Sequence, residues 1–456
     1  MTAGRLLILG ASGDLTGRYL LRALAELVQA ERLVDDIEIV GVSREGWDTG
    51  QFRDHAAKRL EQHASDLSAA SRDTLGRRLR YLSGDVTQAE TLRAAAAGAT
   101  GPIVAYLALP PSLFDSAICG LANAGLPEGS RVVIEKPFGT DLASAQELNR
   151  LVHRHFREDA VFRIDHFLGK QTVQNVLGLR FANRLFEPLW CADHIERVDI
   201  IWDETVALEG RAGYYDGTGA LRDMIQNHLL QVLCLVAMER PDGLGEGPLR
   251  DAKVAALKSV RRPDKKGGQA PSVRGRYAAG AIDGRHIPDY LAEPGVDPAR
   301  STETFAEVTL FVDNDRWKGV PFRLRTGKAL AKDRREVRVT LRPTERLPFD
   351  QPHEPGPNVL SLAMDPDRVS AVLALNGAGD PFSLEPAHWE LRLAPQEMSA
   401  YARLLIDALE GDPSLSIRGD EAEECWRIVE PILAAWDAGA APLRSYQAGS
   451  GGPSTE

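Results

Sequence analysis

Residues 161–170, with the sequence VFRIDHFLGK, place three side chains that could do chemistry at the end of a predicted strand. The apolar residues that begin this stretch are typical of a strand that is buried on both faces. Asp165, His166 and Lys170 follow, and in an open parallel sheet ligands bind beyond the carboxyl ends of the strands. These side chains could orient a base, hold an anion and supply fixed positive charge. An ordinary strand end with a salt bridge is the alternative that the stretch alone leaves open.

A glycine-rich turn near the start of the chain predicts a dinucleotide site. Residues 5–29 read as a strand, a turn and a helix, and the turn contains Gly10 and Gly13. Glycines there allow a tight turn and a close backbone approach, and the amides at the helix start face a diphosphate. The Gly10-x-x-Gly13 spacing is looser than the usual dinucleotide fingerprint. A plain strand–turn–helix is therefore the alternative.

The end of the second predicted strand, IEIVGVSRE, bears on which coenzyme binds. An NAD site normally presents an acid there to the ribose hydroxyl, whereas a site for the 2′-phosphate presents an arginine. Ser43 and Arg44 therefore favour NADP. Glu45 comes directly after them and keeps NAD open, because its carboxylate could neutralise Arg44 or serve a ribose hydroxyl.

Strands and helices alternate through the first 165 residues, which predicts a doubly wound parallel sheet. Two further strand ends carry candidate residues, Tyr106 to Pro111 in YLALPP and Glu135, Lys136 and Pro137 in EKPFG. At such an edge Lys136 would sit where nicotinamide meets substrate, and an ordinary surface lysine is the alternative. Pro137 restricts the residue before it, and whether the Lys136–Pro137 bond is cis stays open.

After residue 170 the pattern changes to that of a second, α+β domain. Residues 214–238 predict a turn and a long helix, with His228 facing inward among apolar residues and Asp223 near the helix start. A hydrogen-bonded core histidine is the alternative to a catalyst. Strands without intervening helices come later and predict a large antiparallel sheet. The predicted divisions are a first domain over 1–165, a second over 166–445 and a disordered tail over 446–456.

Composition limits the classes of function. The formal net charge of −11 argues against a nucleic acid or an anionic membrane as partner. The four cysteines are scattered without metal-ligand spacing, and His153 and His155 would lie on different helix faces, so we expect no metal site. Cysteines that read as reduced, a first strand that leaves no room for a signal peptide and the lack of a bilayer-long apolar stretch favour a soluble cytoplasmic enzyme.

Taken together, the motifs resemble the glucose-6-phosphate dehydrogenase family nearly end to end. The stretches that carry the resemblance are GASGDL at 10–15, YLALPP at 106–111, EKPFG at 135–139, RIDHFLGK at 163–170, GYYDGTGALRDMIQNHLLQ at 213–231 and GVPFRLRTGKAL at 319–330. The resemblance implies a Rossmann-type coenzyme domain followed by an α+β domain with a large, mainly antiparallel sheet. It also implies a homodimer or homotetramer formed through that sheet, and NADP-dependent oxidation of glucose 6-phosphate to 6-phosphogluconolactone.

The same resemblance implies roles for individual residues. His228 would be the general base that removes the proton of the sugar's C1 hydroxyl, and Asp165 would hold its imidazole and stabilise the imidazolium. The implied coenzyme residues are Gly10, Ser12, Gly13, Asp14, Leu15, Ser43, Arg44, Tyr106 and Lys136. The implied substrate residues are His166 and Lys170 for the phosphate, and Lys136, Glu204, Asp223 and Lys328 for the hydroxyls. The cations among them would hold a dianion although the chain is acidic.

Several positions depart from the family pattern. Phe167 replaces a tyrosine and removes a hydroxyl donor to phosphate, Gln171 replaces a glutamate, Arg18 alone remains of a basic cluster, and Asp365 replaces an amide that usually contacts the sugar. A dehydrogenase of a different or modified hexose is therefore a second hypothesis. A non-catalytic dinucleotide-binding regulator is a third, although the presence of Asp165 and His228 speaks against it.

Overall fold

The computed structural model describes residues 3–34, 36–208, 210, 212–261, 272–348, 356–364, 367–379 and 382–454, so Asp365 lies outside the described residues. The chain divides into two compact units. The first unit comprises Met1–Gln171, Pro241–Arg250 and Gln396–Glu423, and the second comprises Thr172–Arg240, Asp251–Pro395 and Glu424–Glu456. Two segments from the second half of the chain therefore belong to the first unit. The predicted division, with a single boundary after residue 165, does not assign them to it.

Parallel strands form the sheet of the first unit. They are β1 (Arg5–Leu9), β2 (Glu38–Ser43), β3 (Leu79–Ser83), β4 (Ile103–Leu107), β5 (Arg131–Glu135) and β6 (Val161–Ile164). In the described part of the chain their order is β3-β2-β1-β4-β5-β6, so the chain starts in the middle and winds outward in both directions. All residues of β1, β4, β5 and β6 are buried, as expected for strands covered on both faces. The predicted doubly wound parallel sheet is confirmed.

Several helices of the first unit begin at a side-chain cap. Asp48 and Asp141 each accept a hydrogen bond from the backbone N–H three residues on and complete a capping box. The sequence did not predict the helix Ala69–Arg78, on which only Ser71 and Leu75 are buried, because its apolar periodicity is weak. The helices are Thr16–Leu20, which has the wider π form, Leu21–Gln29, Thr49–His63, Ala69–Arg78, Ala89–Ala96, Phe114–Ala122, Leu142–His155 and Ala400–Glu410, with 3₁₀ turns at Pro111–Leu113 and Glu158–Ala160.

A mixed sheet organises the second unit. Its strands are β7 (Ile195–Asp203), β8 (Ser272–Ala278), β9 (Gly280–Ile282), β10 (Arg285–Ile287), β11 (Phe305–Phe311), β12 (Pro321–Gly327), β13 (Arg334–Leu341), β14 (Val359–Met364), β15 (Asp367–Asn376), β16 (Leu384–Arg392) and β17 (Leu443–Gln447). Within the described ranges β9 pairs with β10, and the others have the order β16-β15-β14-β13-β7-β12-β11-β8-β17. Most neighbours are antiparallel, but β12 runs parallel to β7 and β17 runs parallel to β8. The predicted large, mainly antiparallel sheet is confirmed.

The remaining helices complete the chain. They are Gln171–Ala182, Ala212–Tyr215, Leu221–Leu229 in the π form, Leu230–Ala237, Glu246–Lys258 and Gly419–Asp437, with 3₁₀ turns at Glu187–Leu189, Tyr290–Ala292 and Pro298–Arg300. Across the described ranges, every helix is too short or too polar to cross a lipid bilayer.

The segment that was predicted to be a disordered tail has defined structure as far as residue 454. Its first residues complete β17, which pairs with β8. The N–H of Gly449 then donates to the carbonyl of Ala329 at 2.8 Å, and the N–H of Ala331 donates to the carbonyl of Ser450 at 2.9 Å. The prediction of disorder was wrong, because backbone hydrogen bonds hold the segment and its polar composition does not reveal them.

Candidate active site

The glycine-rich turn between β1 and the helix Thr16–Leu20 has the geometry of a diphosphate cradle. Gly10 has a φ of +90°, and a Cβ there would lie 2.2 Å from the carbonyl oxygen of Ala108, so only glycine fits. The amide of Gly13 donates to the carbonyl of Gly10 at 3.0 Å and closes the turn, and Leu15 packs against the apolar core behind it. Because a diphosphate requires a close backbone approach at a helix start, the residues present fit a dinucleotide coenzyme.

Two arginines flank this turn, and one of them was not predicted. Asp14 is exposed and accepts hydrogen bonds from Arg18 at 2.9 Å and from Arg59 at 2.8 Å. Arg59 comes from the helix Thr49–His63 and lies against Gly17, where a Cβ would be 2.2 Å from its Nε. The sequence identified Arg18 as the single cation here. No local spacing signals the second one, because Arg59 lies 45 residues beyond Asp14.

The end of β2 is held in place by Tyr81 of β3. The Tyr81 hydroxyl lies 3.0 Å from the carbonyl oxygen of Ser43 and 2.8 Å from that of Glu45. The hydroxyls of Ser12 and Ser43 and the charge of Arg44 act on the Glu45 carboxylate. Partial burial acts to raise the pKa of Glu45, but these polar neighbours outweigh it and hold the pKa below its usual value. The structure therefore brings three predicted coenzyme residues, Ser12, Ser43 and Arg44, to one place.

The carboxyl ends of β4 and β5 share a buried polar contact. The hydroxyl of Tyr106 donates to the carboxylate of Glu135, and burial together with this neighbour raises the pKa of Tyr106. Burial also raises the pKa of Glu135 to about 7, against the lowering effects of Tyr106 and Lys136, and the negative charge of Asp165 adds to the rise. The Lys136–Pro137 bond is cis. Glu135 was part of a predicted candidate strand end but was assigned no role, because the sequence does not show the burial that shifts its pKa.

The turn Asp165–Lys170 comes directly after β6, at the predicted strand end. Asp165 is 1% exposed and accepts a hydrogen bond from the N–H of Phe167 at 2.9 Å. The N–H groups of Gly169 and Lys170 donate to the carbonyls of His166 and Phe167 at 3.2 and 3.0 Å. The Nζ of Lys170 lies 5.6 Å from the centre of the Phe167 ring, within range of a cation–π interaction. The structure thus brings together the two predicted phosphate residues, His166 and Lys170, on one tight turn.

An unpredicted aromatic side chain fixes the plane of the His166 ring. Tyr401, from the helix Ala400–Glu410, stacks on His166 with ring centres 5.7 Å apart and planes 10° apart. It also stacks on Tyr19 at 5.0 Å. Burial, followed by the negative charge of Glu135, raises the pKa of Tyr401, so its hydroxyl stays protonated at neutral pH. Sequence spacing gives no signal for a residue that joins the first unit from so late in the chain.

In the second unit, the predicted residues Glu204 and Lys328 lie together at the ends of the parallel strands β7 and β12. The Nζ of Lys328 is 2.8 Å from a carboxylate oxygen of Glu204, and the Glu204 N–H donates to the carbonyl of Gly327 at 2.8 Å. The same Nζ lies 5.4 Å from the centre of the Tyr215 ring. Burial raises the pKa of Tyr215, and the negative charges of Asp223 and Glu204 contribute to the rise. Three predicted sugar residues are therefore within electrostatic range of one buried tyrosine.

His228 lies in the π-form segment Leu221–Leu229 and is 1% exposed. Hydrogen bonds that span five residues place Asp223 and His228, which are five apart, nearer to one face than an α-helix would. The sequence predicted one α-helix after the turn in 214–238, and propensity gives no sign of the π form. The pairing of His228 with Asp165 joins residues of the two units and stays a prediction.

Three side-chain donors anchor the C-terminal end of the adjoining helix Leu230–Ala237. Arg180, Trp190 and Trp317 donate to the carbonyls of Leu235, Val236 and Ala237 at 2.7, 2.8 and 2.8 Å. A helix end leaves such carbonyls without intrahelical partners, so these bonds satisfy them. They also fix, within the second unit, the end of the helix that directly follows the segment carrying His228.

Comparison with known proteins relates both units to one family. A family model described as "Glucose-6-phosphate dehydrogenase, NAD binding domain" matches residues 7–175, and one described as "Glucose-6-phosphate dehydrogenase, C-terminal domain" matches residues 177–456. A Gluconobacter oxydans protein named glucose-6-phosphate 1-dehydrogenase is 44% identical over 98% of this chain and 94% of its own length. A Treponema pallidum protein with the same name is 40% identical over 98% of this chain and 92% of its own length.

Solved structures give the same answer for the fold. The chain matches a crystal structure of glucose-6-phosphate 1-dehydrogenase from Mycobacterium avium with a TM-score of 0.88 and 37% identity, over 99% of this chain and 95% of the other. It matches a glucose-6-phosphate dehydrogenase in complex with its substrate glucose 6-phosphate with a TM-score of 0.90 and 31% identity, over 100% and 97%. Since both family models and full-length relatives agree with the motifs and the topology, the chain belongs to the glucose-6-phosphate dehydrogenase family.

Proposed function

We propose that this protein is an NADP-dependent glucose-6-phosphate 1-dehydrogenase, the first enzyme of the oxidative pentose phosphate pathway. The reaction moves a hydride from C1 of glucose 6-phosphate to the coenzyme and a proton from the C1 hydroxyl to the protein, which leaves 6-phosphogluconolactone. The observation that carries the proposal is similarity over 98% of the chain to a relative of that name at 44% identity. The turn that presents Asp165, His166 and Lys170 supports it.

The proposed catalytic residues are His228 and Asp165. The imidazole of His228 takes the proton of the C1 hydroxyl as the hydride leaves C1. Asp165 orients this imidazole through one ring nitrogen and stabilises the imidazolium that forms. Both side chains are 1% exposed, which favours a strong electrostatic interaction because the local dielectric is low. NADP, when bound, supplies the nicotinamide C4 that accepts the hydride.

Binding of the sugar phosphate is assigned to residues of both units. His166 and Lys170 hold the phosphate by charge-assisted hydrogen bonds, and their shared turn supports this role. Glu204, Asp223 and Lys328 take the sugar hydroxyls, together with Lys136. The contact of Lys328 with Glu204 supports this assignment, because it holds a donor and an acceptor side by side.

Binding of NADP is assigned to the first unit. The turn of Gly10, Ser12, Gly13, Asp14 and Leu15 takes the diphosphate, and the fit of Gly10 against a neighbouring carbonyl supports this. Ser43 and Arg44 read the 2′-phosphate, with an exposed guanidinium available to it. Lys136 and Tyr106 lie near the nicotinamide end. Because Tyr106 is buried and donates to Glu135, its contribution acts through the strand end rather than through direct contact.

The proposed oligomer is a homodimer or homotetramer formed through the large sheet. Leu375, Leu391 and Trp389 on β15 and β16 are 55%, 50% and 43% exposed, and large apolar side chains left in water favour association. A groove of about 400 Å³ lined by Leu185, Leu341, Leu373 and Trp389, among others, adjoins them. We place the enzyme in the cytoplasm, in line with four cysteines, all among the described residues, that form no disulfide bond.

A panel of sugars and coenzymes tests the function directly. Reduction of NADP is followed by the absorbance of reduced nicotinamide with glucose 6-phosphate, glucose and glucosamine 6-phosphate. We expect the highest kcat/KM with glucose 6-phosphate. A strong preference for another sugar would favour a different hexose dehydrogenase, a hypothesis that Phe167 motivates. Absence of reduction with every sugar, while NADP still binds, would favour a non-catalytic regulator.

A further inference from the structure

Lys170, one of the two residues proposed to hold the sugar phosphate, is flanked on both sides by contacts with a single side chain. Gln396 lies beside the turn Asp165–Lys170, within the first unit. Its Nε2 donates to the carbonyl of Gly169 at 2.8 Å, and its Oε1 accepts from the N–H of Gln171 at 3.0 Å. One amide therefore holds both peptide groups that adjoin Lys170. No local spacing predicts this contact, because 225 residues separate Gln171 from Gln396.

These two hydrogen bonds fix the direction in which the Lys170 side chain leaves the backbone. A peptide group is planar, so the backbone at one residue has only two soft dihedral angles, one toward each neighbouring peptide plane. Because the same amide holds both planes, φ and ψ of Lys170 are restrained together. A glutamine side chain suits this task, since it carries an acceptor and a donor side by side.

The turn also lies directly against the helix that follows Gln396. A Cβ at Gly169 would be 2.5 Å from the carbonyl oxygen of Ala400, the first residue of the helix Ala400–Glu410, so the two backbones are in close contact. Gln171 begins the helix Gln171–Ala182, and the first N–H groups of a helix lack intrahelical partners. Gln396 supplies a partner for one of them.

The segment that carries Gln396 is anchored to the core of the first unit. The N–H of Ser399, which caps the helix Ala400–Glu410, donates to the Glu26 carboxylate at 2.8 Å. Glu26 is 7% exposed and also accepts a hydrogen bond from Arg22 at 2.8 Å. Gln396 therefore extends from an ordered base, and a preorganised site has less entropy to lose when a ligand binds.

We propose that Gln396 is a positioning residue that fixes the backbone of Lys170 and so directs its ammonium group toward the phosphate of the sugar substrate. A lysine side chain is long and flexible, so restraint at its base removes part of the conformational freedom that phosphate binding would otherwise have to remove. The inference rests on the proposed function, because it assumes that Lys170 binds a phosphate. It adds a residue to which that function assigns no role.

The experiment compares wild type with Gln396→Met, which keeps the length of the side chain but removes the amide. Steady-state kinetics are measured with glucose 6-phosphate and with glucose, which lacks the phosphate. The KM for glucose 6-phosphate should rise about five- to tenfold with kcat within about twofold of wild type, because the two lost hydrogen bonds support phosphate binding alone. The values of kcat/KM for glucose and of KM for NADP should not change.

Gln29→Met is the matched control. Gln29 is exposed and lines the same cavity of about 580 Å³ as Gln396 and Lys170. Its side chain also bonds a backbone group, the N–H of Ser68 at 2.8 Å. This variant should leave the KM for glucose 6-phosphate unchanged.

Lys170→Met completes a double-mutant cycle. If Gln396 acts through Lys170, the addition of Gln396→Met to Lys170→Met should raise the KM for glucose 6-phosphate by less than about twofold further. Independent effects of the two substitutions would overturn the proposal. An unchanged KM in Gln396→Met would overturn it too, and so would an equal loss of kcat/KM with glucose and glucose 6-phosphate, which is the result of a general loosening of the site.

Calorimetric titration with glucose 6-phosphate, without coenzyme, separates this inference from the proposed function. If wild type binds the sugar phosphate but does not oxidise it, the proposed function fails, and the ratio of the dissociation constants of Gln396→Met and wild type decides the role of Gln396. If wild type does not bind it, both proposals fail.

Discussion

In the first unit the proposed site residues lie at or just beyond the carboxyl ends of parallel strands. In the second unit they come from a π-form helix and from one pair of parallel strands in a mostly antiparallel sheet. Parallel strands all end at one edge, so topology alone gathers the side chains located just beyond those ends. In the mixed sheet only β7 and β12 carry Glu204 and Lys328 to a common edge, and His228 depends on the local form of its helix. In the first unit the topology of the sheet is enough to bring the site residues together. In the second unit individual local contacts are needed to do so.

The variant with the largest expected effect distinguishes the chemical step from coenzyme binding. His228→Asn should lower kcat by at least about a hundredfold, because a positioned base contributes about 10²–10⁴ in rate. Binding of NADP, measured by fluorescence, should not change, since the coenzyme belongs to the first unit. Asp165→Asn should give a loss of similar kind, and the double variant should lose less than the product of the two. Near-normal turnover in His228→Asn would remove the assigned base.

The second expected effect tests the buried strand-end contact of the first unit. The pKa of Glu135 is raised to about 7 in the folded protein, from about 4.5 in the unfolded chain. The folded state therefore binds the extra proton between these pH values, so the stability due to Glu135 is complete below pH 4.5 and is lost as the pH rises through 7. The difference corresponds to about 3 kcal/mol in the free energy of unfolding.

Glu135→Gln is the variant that isolates this contribution, because it stays neutral at every pH and keeps an acceptor for Tyr106. Denaturant unfolding between pH 4.5 and pH 8 should show a smaller loss of stability in the variant than in wild type. Asp407, whose pKa burial also raises to about 7, affects both proteins equally and cancels. Parallel pH profiles would show that Glu135 remains ionised in the fold.

Most of the first unit could be predicted because its determinants are local. Buried strands, glycine turns and capping residues such as Asp48 mark its elements, and the strand ends mark its site. The residues that were missed, Arg59 and Tyr401, reach the site from helices far along the chain. Glu135 stood in a predicted candidate strand end, but its role was not predicted, since that role comes from burial and not from residue type.

The second unit was predicted less completely for physical reasons. The strands β8, β16 and β17 were not identified, and β16 is mostly exposed, so neither face shows a clear apolar alternation. The π form around His228 changes which residues share a face without any change in composition. β7 and β12 pair although more than a hundred residues separate them in the sequence. Hydrophobic periodicity, which is a local pattern, does not encode such pairing.

A comparison of two glycine variants tests whether NADP binding by the first unit depends on a close approach of the backbone at Gly10 rather than on charge. Gly10 and Gly98 both have positive φ, at +90° and +71°, but only at Gly10 would a Cβ meet the backbone of Ala108. Gly98→Ala should cost only the strain of its backbone conformation, about 1 kcal/mol. Gly10→Ala should add about 1–3 kcal/mol and weaken NADP binding, because the turn must shift to relieve the clash. Equal melting temperatures and equal NADP affinity in the two variants would contradict the assignment of the glycine-rich turn as a diphosphate cradle.

The smallest expected effect concerns the arginine that the sequence did not reveal. Arg59 bonds to Asp14 beside the glycine-rich turn, as Arg18 does, but its side chain is 22% exposed against 49% for Arg18. Exposed charges are screened, so Arg59→Ala should raise the KM for NADP by about two- to fivefold, and Arg18→Ala by less. Arg77→Ala, on the exposed end of another helix, is the matched control and should leave the KM unchanged. A larger effect of Arg18→Ala would contradict this prediction. It would mean that Arg18 contributes more to NADP binding than Arg59, and Arg18 can be identified from sequence spacing alone.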